Sequence, residues 1–186
     1  MHGYRVTAHE EKIAGLAKII GFSQISTSHA TSPMIKFVGR GDTTVADAYL
    51  SPILRRYIDR LATDLDGAAQ TKLQMMQSNG GLTDATLFQG KDAILSGPAG
   101  GIVGAVKTGN QAGFDKIITF DMGGTSTDVA HYDGGYERAF DSMIAGVRIN
   151  APMLLIHTVA AGGGSLCRFD NGRFQVGPES DGANPG

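Results

Sequence analysis

Apolar side chains recur along this chain at two spacings, and the switches between them mark its elements. From Thr7 to Gly21 the apolar residues Ile13, Leu16, Ala17 and Ile20 fall on one helix face. Thr7 and Glu10 form a capping box at its start, and Gly21 is a stop just past its end. Phe22 to Ser28 alternates apolar and polar side chains, which predicts a short strand. Thr31-Ser32-Pro33 breaks the pattern and Gly39-Arg40-Gly41-Asp42 reads as a turn, so a boundary is placed here. Residues 1–36 then read as the C-terminal piece of a preceding domain and 37–186 as the first part of the main one. Helical spacing resumes from Thr44 to Leu65 through Tyr49, Leu50, Ile53, Leu54, Tyr57, Ile58 and Leu61. Pro52 either starts a new helix capped by Ser51 or kinks this one. Arg55, Arg56 and Arg60 are assigned to its solvated face.

Lys72 to Gln77 reads as a strand entering the turn Ser78-Asn79-Gly80-Gly81, and Asp92 to Leu95 as another short strand. Ser96-Gly97-Pro98-Ala99 then opens a helix to about Gln111, with Gly113 as its stop. Glycine inside a helix costs ~1 kcal/mol relative to Ala, yet Gly100, Gly101, Gly104 and Gly109 all lie within this one. Either a helix or a bound nucleotide approaches closely, or the helix is a weak one. Ile117 to Phe120 is a continuous apolar run with β-branched residues, which predicts a buried strand. Val129 to Tyr132 and Tyr136 to Phe140 read as strands paired about Asp133-Gly134-Gly135. Val147 to Ile149 and Met153 to Ile156 are further apolar runs, and Phe169 to Phe174 is a last hairpin. The stretch from Gly177 to Gly186 brings no closing element. The fold class is α/β, with antiparallel hairpins in a mixed sheet and flanking helices.

The chemistry gathers where the Ile117 strand ends, in Asp121-Met122-Gly123-Gly124-Thr125-Ser126-Thr127-Asp128. Glycines at a tight turn let backbone N–H groups approach a ligand, and three successive hydroxyls can donate to phosphate oxygens. Asp121 at the strand end is placed to hold a hydrated Mg²⁺. An ordinary hairpin with a Gly-Gly turn has the same pattern. Asp128 is a second acid or a hairpin-stabilising residue, and His157, beside Gly162-Gly163-Gly164, is a catalytic or a structural histidine.

Composition narrows the field. With 41% hydrophobic and 18% charged residues among 186, the chain can build a core. Its net charge of −2, with both signs interspersed, gives no case for nucleic acid or a membrane surface. A single cysteine, Cys167, excludes an internal disulfide and suits a reducing, cytoplasmic setting. No leader and no membrane-spanning run is read at either end or between. A P-loop, a dinucleotide-binding Gly-x-Gly-x-x-Gly and a zinc-ligand pattern are all missing from the sequence.

Taken together, Ser96-Gly-Pro-Ala-Gly-Gly-Ile-Val-Gly-Ala105 and Phe120-Asp-Met-Gly-Gly-Thr-Ser-Thr-Asp-Val129 resemble the actin-like ATPase superfamily, and more narrowly the hydantoinase A/5-oxoprolinase family. Further stretches fit that family: Val38-Gly-Arg-Gly-Asp-Thr-Thr44, Ala48-Tyr-Leu-Ser-Pro52, Met76-Gln-Ser-Asn-Gly-Gly-Leu82, His157-Thr-Val-Ala-Ala-Gly-Gly-Gly-Ser165 and Gly182-Ala-Asn-Pro-Gly186. His2-Gly3-Tyr4-Arg5 and Gly90-Lys-Asp-Ala-Ile-Leu-Ser96 are most similar to its 5-oxoprolinase branch, and less to N-methylhydantoinase. The family's first phosphate loop is missing, since Gly-Gly-Thr occurs only at Gly123. The resemblance therefore implies an internal fragment with an incomplete ribonuclease H-like, actin-like fold, holding one wall of a nucleotide cleft.

The resemblance also implies an ATP-dependent hydrolase that opens 5-oxo-L-proline to L-glutamate, the fragment alone having little turnover. Asp121 would hold Mg²⁺ through water and is the catalytic residue the resemblance implies. Amides of Gly123, Gly124 and Thr125 and hydroxyls of Thr125, Ser126 and Thr127 would take the β- and γ-phosphates of ATP. Gly162, Gly163 and Gly164 would approach nucleotide or substrate backbone-first. The partners implied are a cyclic amide and either the rest of the same chain or a second hydantoinase-type subunit. The alternative functions are an N-methylhydantoinase, an acetone-carboxylase-type subunit, or a non-catalytic nucleotide-binding actin-like module.

Overall fold

The helices run, in chain order, α1 (Ala8–Ile20), α2 (Ser28–Thr31), α3 (Phe37–Leu65), α4 (Gly90–Ala93) and α5 (Ser96–Gln111). The strands are β1 (Gln74–Met76), β2 (Leu82–Asp84), β3 (Lys116–Met122), β4 (Thr127–Asp133), β5 (Arg138–Ala139) and β6 (Ser142–Ile144). They continue with β7 (Val147–Ile149), β8 (Met153–Leu154), β9 (His157–Val159), β10 (Ser165–Asp170) and β11 (Arg173–Ser180). These come from a computed structural model that describes residues 2–65 and 72–181, so the Gly182–Gly186 motif lies outside the described residues. The chain divides into two units, Met1–Gly97 with Arg138–Met153, and Pro98–Glu137 with Leu154–Gly186. The boundary read at residues 36 and 37 falls inside the first unit. Among the described residues no helix is long and apolar enough to cross a membrane.

In the first unit α1 ends as its sequence dictates, with Gly21 at φ 104° and its N–H on the carbonyls of Ala17 and Lys18. The capping box does not form: Thr7 makes no side-chain cap. Glu10 is engaged elsewhere, accepting from the Ser28 hydroxyl and, at 3.2 Å, from the His29 N–H. The strand expected from Phe22 to Ser28 is also not formed. Ser26 and Ser28 turn toward α3 instead, with Ser26 Oγ donating to Asp47 Oδ2 at 2.7 Å and Ser28 Oγ accepting from Arg40 Nε.

Helix α3 begins earlier than its apolar spacing indicates, and the Gly39–Asp42 stretch is helical. Buried Arg40 explains part of this. Its Nε donates to Ser28 Oγ at 2.9 Å and its Nη1 to the Met34 carbonyl at 2.7 Å. Its guanidinium also lies 5.6 Å from the Tyr4 ring centroid and 5.9 Å from that of Phe37. Gly39 fits because buried Asn150 occupies the space of a side chain there; a Cβ would sit 2.2 Å from Asn150 Nδ2. Pro52 lies within this one helix, and Ser51 caps no new one. Arg55 is not on a solvated face: its guanidinium donates to the carbonyls of Ala85, Thr86 and Phe88. Arg56 and Arg60 are exposed as expected.

Where a strand was expected from Asp92 to Leu95, the chain instead forms α4 and a following turn. Its first amides are satisfied by α3. Ser51 Oγ accepts from the Gly90 N–H at 3.1 Å, and Asp47 Oδ1 from the Lys91 N–H at 3.1 Å. That approach leaves no room for a side chain at residue 90, where a Cβ would lie 2.9 Å from the Asp47 carbonyl oxygen. One core cluster of this unit gathers Ile58, Ala85 and Phe88. A second gathers Ile149, Ala151 and Met153, with Ala46, Ile94, Leu95 and Ile144 packed on it.

In the second unit α5 buries Ala99, Ile102 and Val106 against Ala130 of β4 and Leu154. The three-stranded sheet runs β3-β4-β9 and is antiparallel throughout, from Lys116 opposite Asp133 to Met122 opposite Thr127. Strand β3 is covered on one face only. Ile117 packs inward, while Ile118 and Phe120 are 74% and 67% exposed. The run from Ile117 to Phe120 suggested a buried strand; α5 covers one face of it. Of the helix glycines, Gly109 has a close neighbour, the Ile117 side chain, 2.4 Å from where a Cβ would stand. Gly97, Gly101 and Gly104 have open space. Tyr136 to Phe140 is not a full partner for β4. A single bridge joins Tyr132 to Tyr136, and β5 pairs with β8. The last hairpin forms as read, turning at Asn171 and Gly172, although its strands reach well beyond Phe169 and Phe174.

Candidate phosphate-binding hairpin

The β3–β4 register sets the site. It places Asp121 directly opposite Asp128, one pair from the turn. Facing carboxylates on neighbouring strands repel one another, a cost that a bound cation relieves. Asp121 is exposed; Asp128 is half-buried and its Oδ1 accepts from Thr158 Oγ1, on β9, at 2.6 Å. Both line a groove of about 380 Å³ with Pro98, Gly101, Ile102 and Ala105 of α5 and Ile118 and Phe120 of β3.

Beyond Met122 the chain turns through exposed Gly123, Gly124 and Thr125 and half-buried Ser126. The turn closes on itself through the Gly123 N–H, which donates to the Ser126 carbonyl at 2.9 Å. Thr127 differs from its neighbours. It is buried, and its hydroxyl donates to the Ala161 carbonyl at 2.7 Å, so it faces a neighbouring loop and not solvent.

That loop holds the other glycines. Gly163 N–H donates to the Gly123 carbonyl at 2.9 Å, and Gly164 N–H to that of Gly124 at 2.7 Å. Gly162 N–H is taken by Ser165 Oγ at 2.9 Å. The three glycines therefore do approach another group backbone-first, and that group is the hairpin. A Cβ at Gly162 would stand 2.5 Å from the Gly123 carbonyl oxygen and 2.7 Å from the Gly124 carbonyl carbon.

The structure thus brings Asp121, Asp128, Gly123, Gly124, Thr125 and Ser126 together, with Thr127 and Gly162–Gly164 behind them. His157 is exposed opposite Val129 and does not line the groove. Sequence reading missed Thr158 and the Ala161 carbonyl. The only signal for Thr158 is strand register, which fixes its partner as Asp128.

The family model described as Hydantoinase/oxoprolinase matches residues 40–186. The 5-oxoprolinase of Saccharomyces cerevisiae is 47% identical over 192 residues, covering 100% of this chain and 15% of that protein. The chain thus spans about a seventh of the length of such curated relatives. Among solved structures, an ATP-dependent caprolactamase from Pseudomonas jessenii superposes with a TM-score of 0.82 at 36% identity, over 99% of this chain and 28% of that one. A nucleotide-free acetone carboxylase gives 0.81 at 25% identity, over 97% and 27%.

Proposed function

Because the chain belongs to the hydantoinase/oxoprolinase family, whose α/β fold is of the actin-like ATPase type, we propose that it is the phosphate-binding part of an ATP-dependent cyclic-amide hydrolase. The substrate is 5-oxo-L-proline, opened with water to L-glutamate as ATP becomes ADP and phosphate. The observation that carries this reading is the hairpin. It joins exposed Gly123, Gly124 and Thr125 and two facing carboxylates at one strand end. The 47% identity to a 5-oxoprolinase over the whole chain supports the choice of lactam.

A lactam amide resists water because resonance ties its nitrogen lone pair to the carbonyl. Transfer of the γ-phosphoryl group of ATP to the amide oxygen, with ADP leaving, removes that resonance; water then attacks the ring carbon, the C–N bond breaks, and phosphate leaves from that carbon on hydrolysis. Such transfer asks the protein mainly for positioning and charge neutralisation. Amides at the turn and the hydroxyls of Thr125 and Ser126 hold β- and γ-phosphate oxygens. Asp121, with Asp128 opposite, would hold Mg²⁺. Mg²⁺ takes one or two carboxylates and fills its shell with water and phosphate, and the facing Asp121 and Asp128 supply two. When bound, the ion neutralises charge on the phosphates. The rest of the same polypeptide, or a second hydantoinase-type subunit, supplies the lactam pocket and the opposite wall of the cleft. An exposed, unpaired Cys167 suits a reducing cytoplasm.

The test is phosphate release by the complete polypeptide with 5-oxoproline, N-methylhydantoin, caprolactam, or acetone plus bicarbonate. Stimulation by 5-oxoproline above the others is expected. Stimulation by another of these reassigns the substrate. ATP-dependent assembly with no substrate-stimulated release reassigns the chain to a nucleotide-binding module.

A further inference from the structure

We propose that the Gly162–Gly164 loop is a positioning element that aims two hairpin amides at the nucleotide phosphates; this rests on the nucleotide reading above. A trans peptide holds its C=O and its N–H on opposite sides. The carbonyls of Gly123 and Gly124 are fixed on the loop by the N–H groups of Gly163 and Gly164. The same two peptide units carry the N–H groups of Gly124 and Thr125, which are therefore turned away from the loop. Both residues are exposed, and neither N–H has an acceptor among the described residues. Successive amides turned one way form an anion-binding concavity. The Gly123 N–H, which sequence reading included, is held by Ser126 and does not belong to it.

The loop is itself anchored without help from a ligand. Ser165 N–H donates to the Gly162 carbonyl at 3.1 Å, Asp181 N–H to that of Gly164 at 2.9 Å, and Thr127 joins Ala161 to the base of the hairpin. The closest approach is at Gly162, whose missing side chain lets two hairpin carbonyls come within contact distance. A methyl group there meets backbone atoms of Gly123 and Gly124 and rotates the very peptides that carry the open amides. At Gly164 a Cβ would lie 3.1 Å from the Gly124 carbonyl oxygen and 2.9 Å from Ser180 Oγ, so the same push is milder.

The experiment compares ATP and AMP affinities of the complete polypeptide, by calorimetry or displacement of a fluorescent nucleotide, alongside its melting temperature. Gly135→Ala, at a position with open space, is the control. Gly162→Ala is expected to weaken ATP about tenfold to a hundredfold, the loss of one or two amide–phosphate hydrogen bonds. AMP, which lacks the β- and γ-phosphates, should change little, and Gly164→Ala should fall between Gly162→Ala and the control. Should Gly162→Ala fail to fold, Gly164→Ala decides alone by the same ATP-to-AMP ratio. Equal losses for ATP and AMP, or unchanged ATP affinity in a folded variant, overturn the proposal. Wild-type protein that binds no ATP overturns the nucleotide reading itself, a result separable from either of these.

Discussion

Replacing Asp121 by Asn separates the two roles that the hairpin imposes on this residue. Without ligand, Asp121 and Asp128 face each other across the β3–β4 ladder. Removing one of two like charges at such a pair is worth roughly 0.2–1 kcal/mol to the strands. Asp121 is exposed, and Asn fits its place, so no core contact is lost. The unliganded Asp121→Asn protein should therefore be slightly more stable than wild type. With ATP and Mg²⁺ the order reverses. A ligand at a hundred times its dissociation constant stabilises by about 2.7 kcal/mol. If losing the carboxylate weakens binding about a hundredfold, roughly 0.4 kcal/mol of that remains. The assay is denaturant or thermal unfolding of the complete polypeptide with and without ATP and Mg²⁺, paired with phosphate release, which should be abolished in the variant. A variant destabilised without ligand, or one that keeps wild-type stabilisation by ATP and Mg²⁺ and near-normal turnover, refutes the reasoning and removes Asp121 from the mechanism.

Two further outcomes follow from the first unit. Burial pushes the Glu10 carboxyl up, but hydrogen bonds from Ser28 and His29, with the His29 charge, outweigh it and lower its pKa from 4.5 to about 2. A carboxylate with a depressed folded pKa stabilises above its unfolded value and loses that contribution as pH falls toward the folded one. Urea midpoints should therefore drop between pH 4.5 and about 2, and Glu10→Gln should flatten that drop. Gly39→Ala should destabilise by about 1–3 kcal/mol through overpacking against Asn150. Adding Asn150→Ala should restore most of this, because it removes the obstructing amide, a buried polar group with no partner among the described residues. Additive losses in a double-mutant cycle would contradict that contact.

What the sequence made legible was local. The α1 spacing with Gly21, the span of α5 with Gly113, and the β10–β11 turn at Asn171-Gly172 all depend on interactions within a few residues. The failures lie where a distant side chain decides. Gly39–Asp42 has turn composition, yet Arg40 and Thr43 find partners far along the chain that keep it helical: Arg40 donates to Ser28 Oγ and sits against Tyr4, and Thr43 Oγ1 accepts from the Asn150 N–H at 2.7 Å. Asp92 to Leu95 has strand composition, yet Asp47 and Ser51, more than thirty-five residues away in sequence, accept from the first amides of α4. Arg55 looked solvated because its acceptors are backbone carbonyls, which no sequence pattern displays.

The same division explains the site. Asp121, Gly123, Gly124 and Thr125 are contiguous, and their residue types alone suggest phosphate. Their geometry is imposed from outside the motif. Thr158 fixes Asp128 because register puts them opposite, and Gly162 admits the hairpin because its lack of a Cβ leaves room. Glycine therefore serves opposite ends within one site. At Gly124 it leaves backbone open toward a ligand; at Gly162 it lets one backbone close upon another. A sequence motif records both as the same letter, and the contacts around each residue tell them apart.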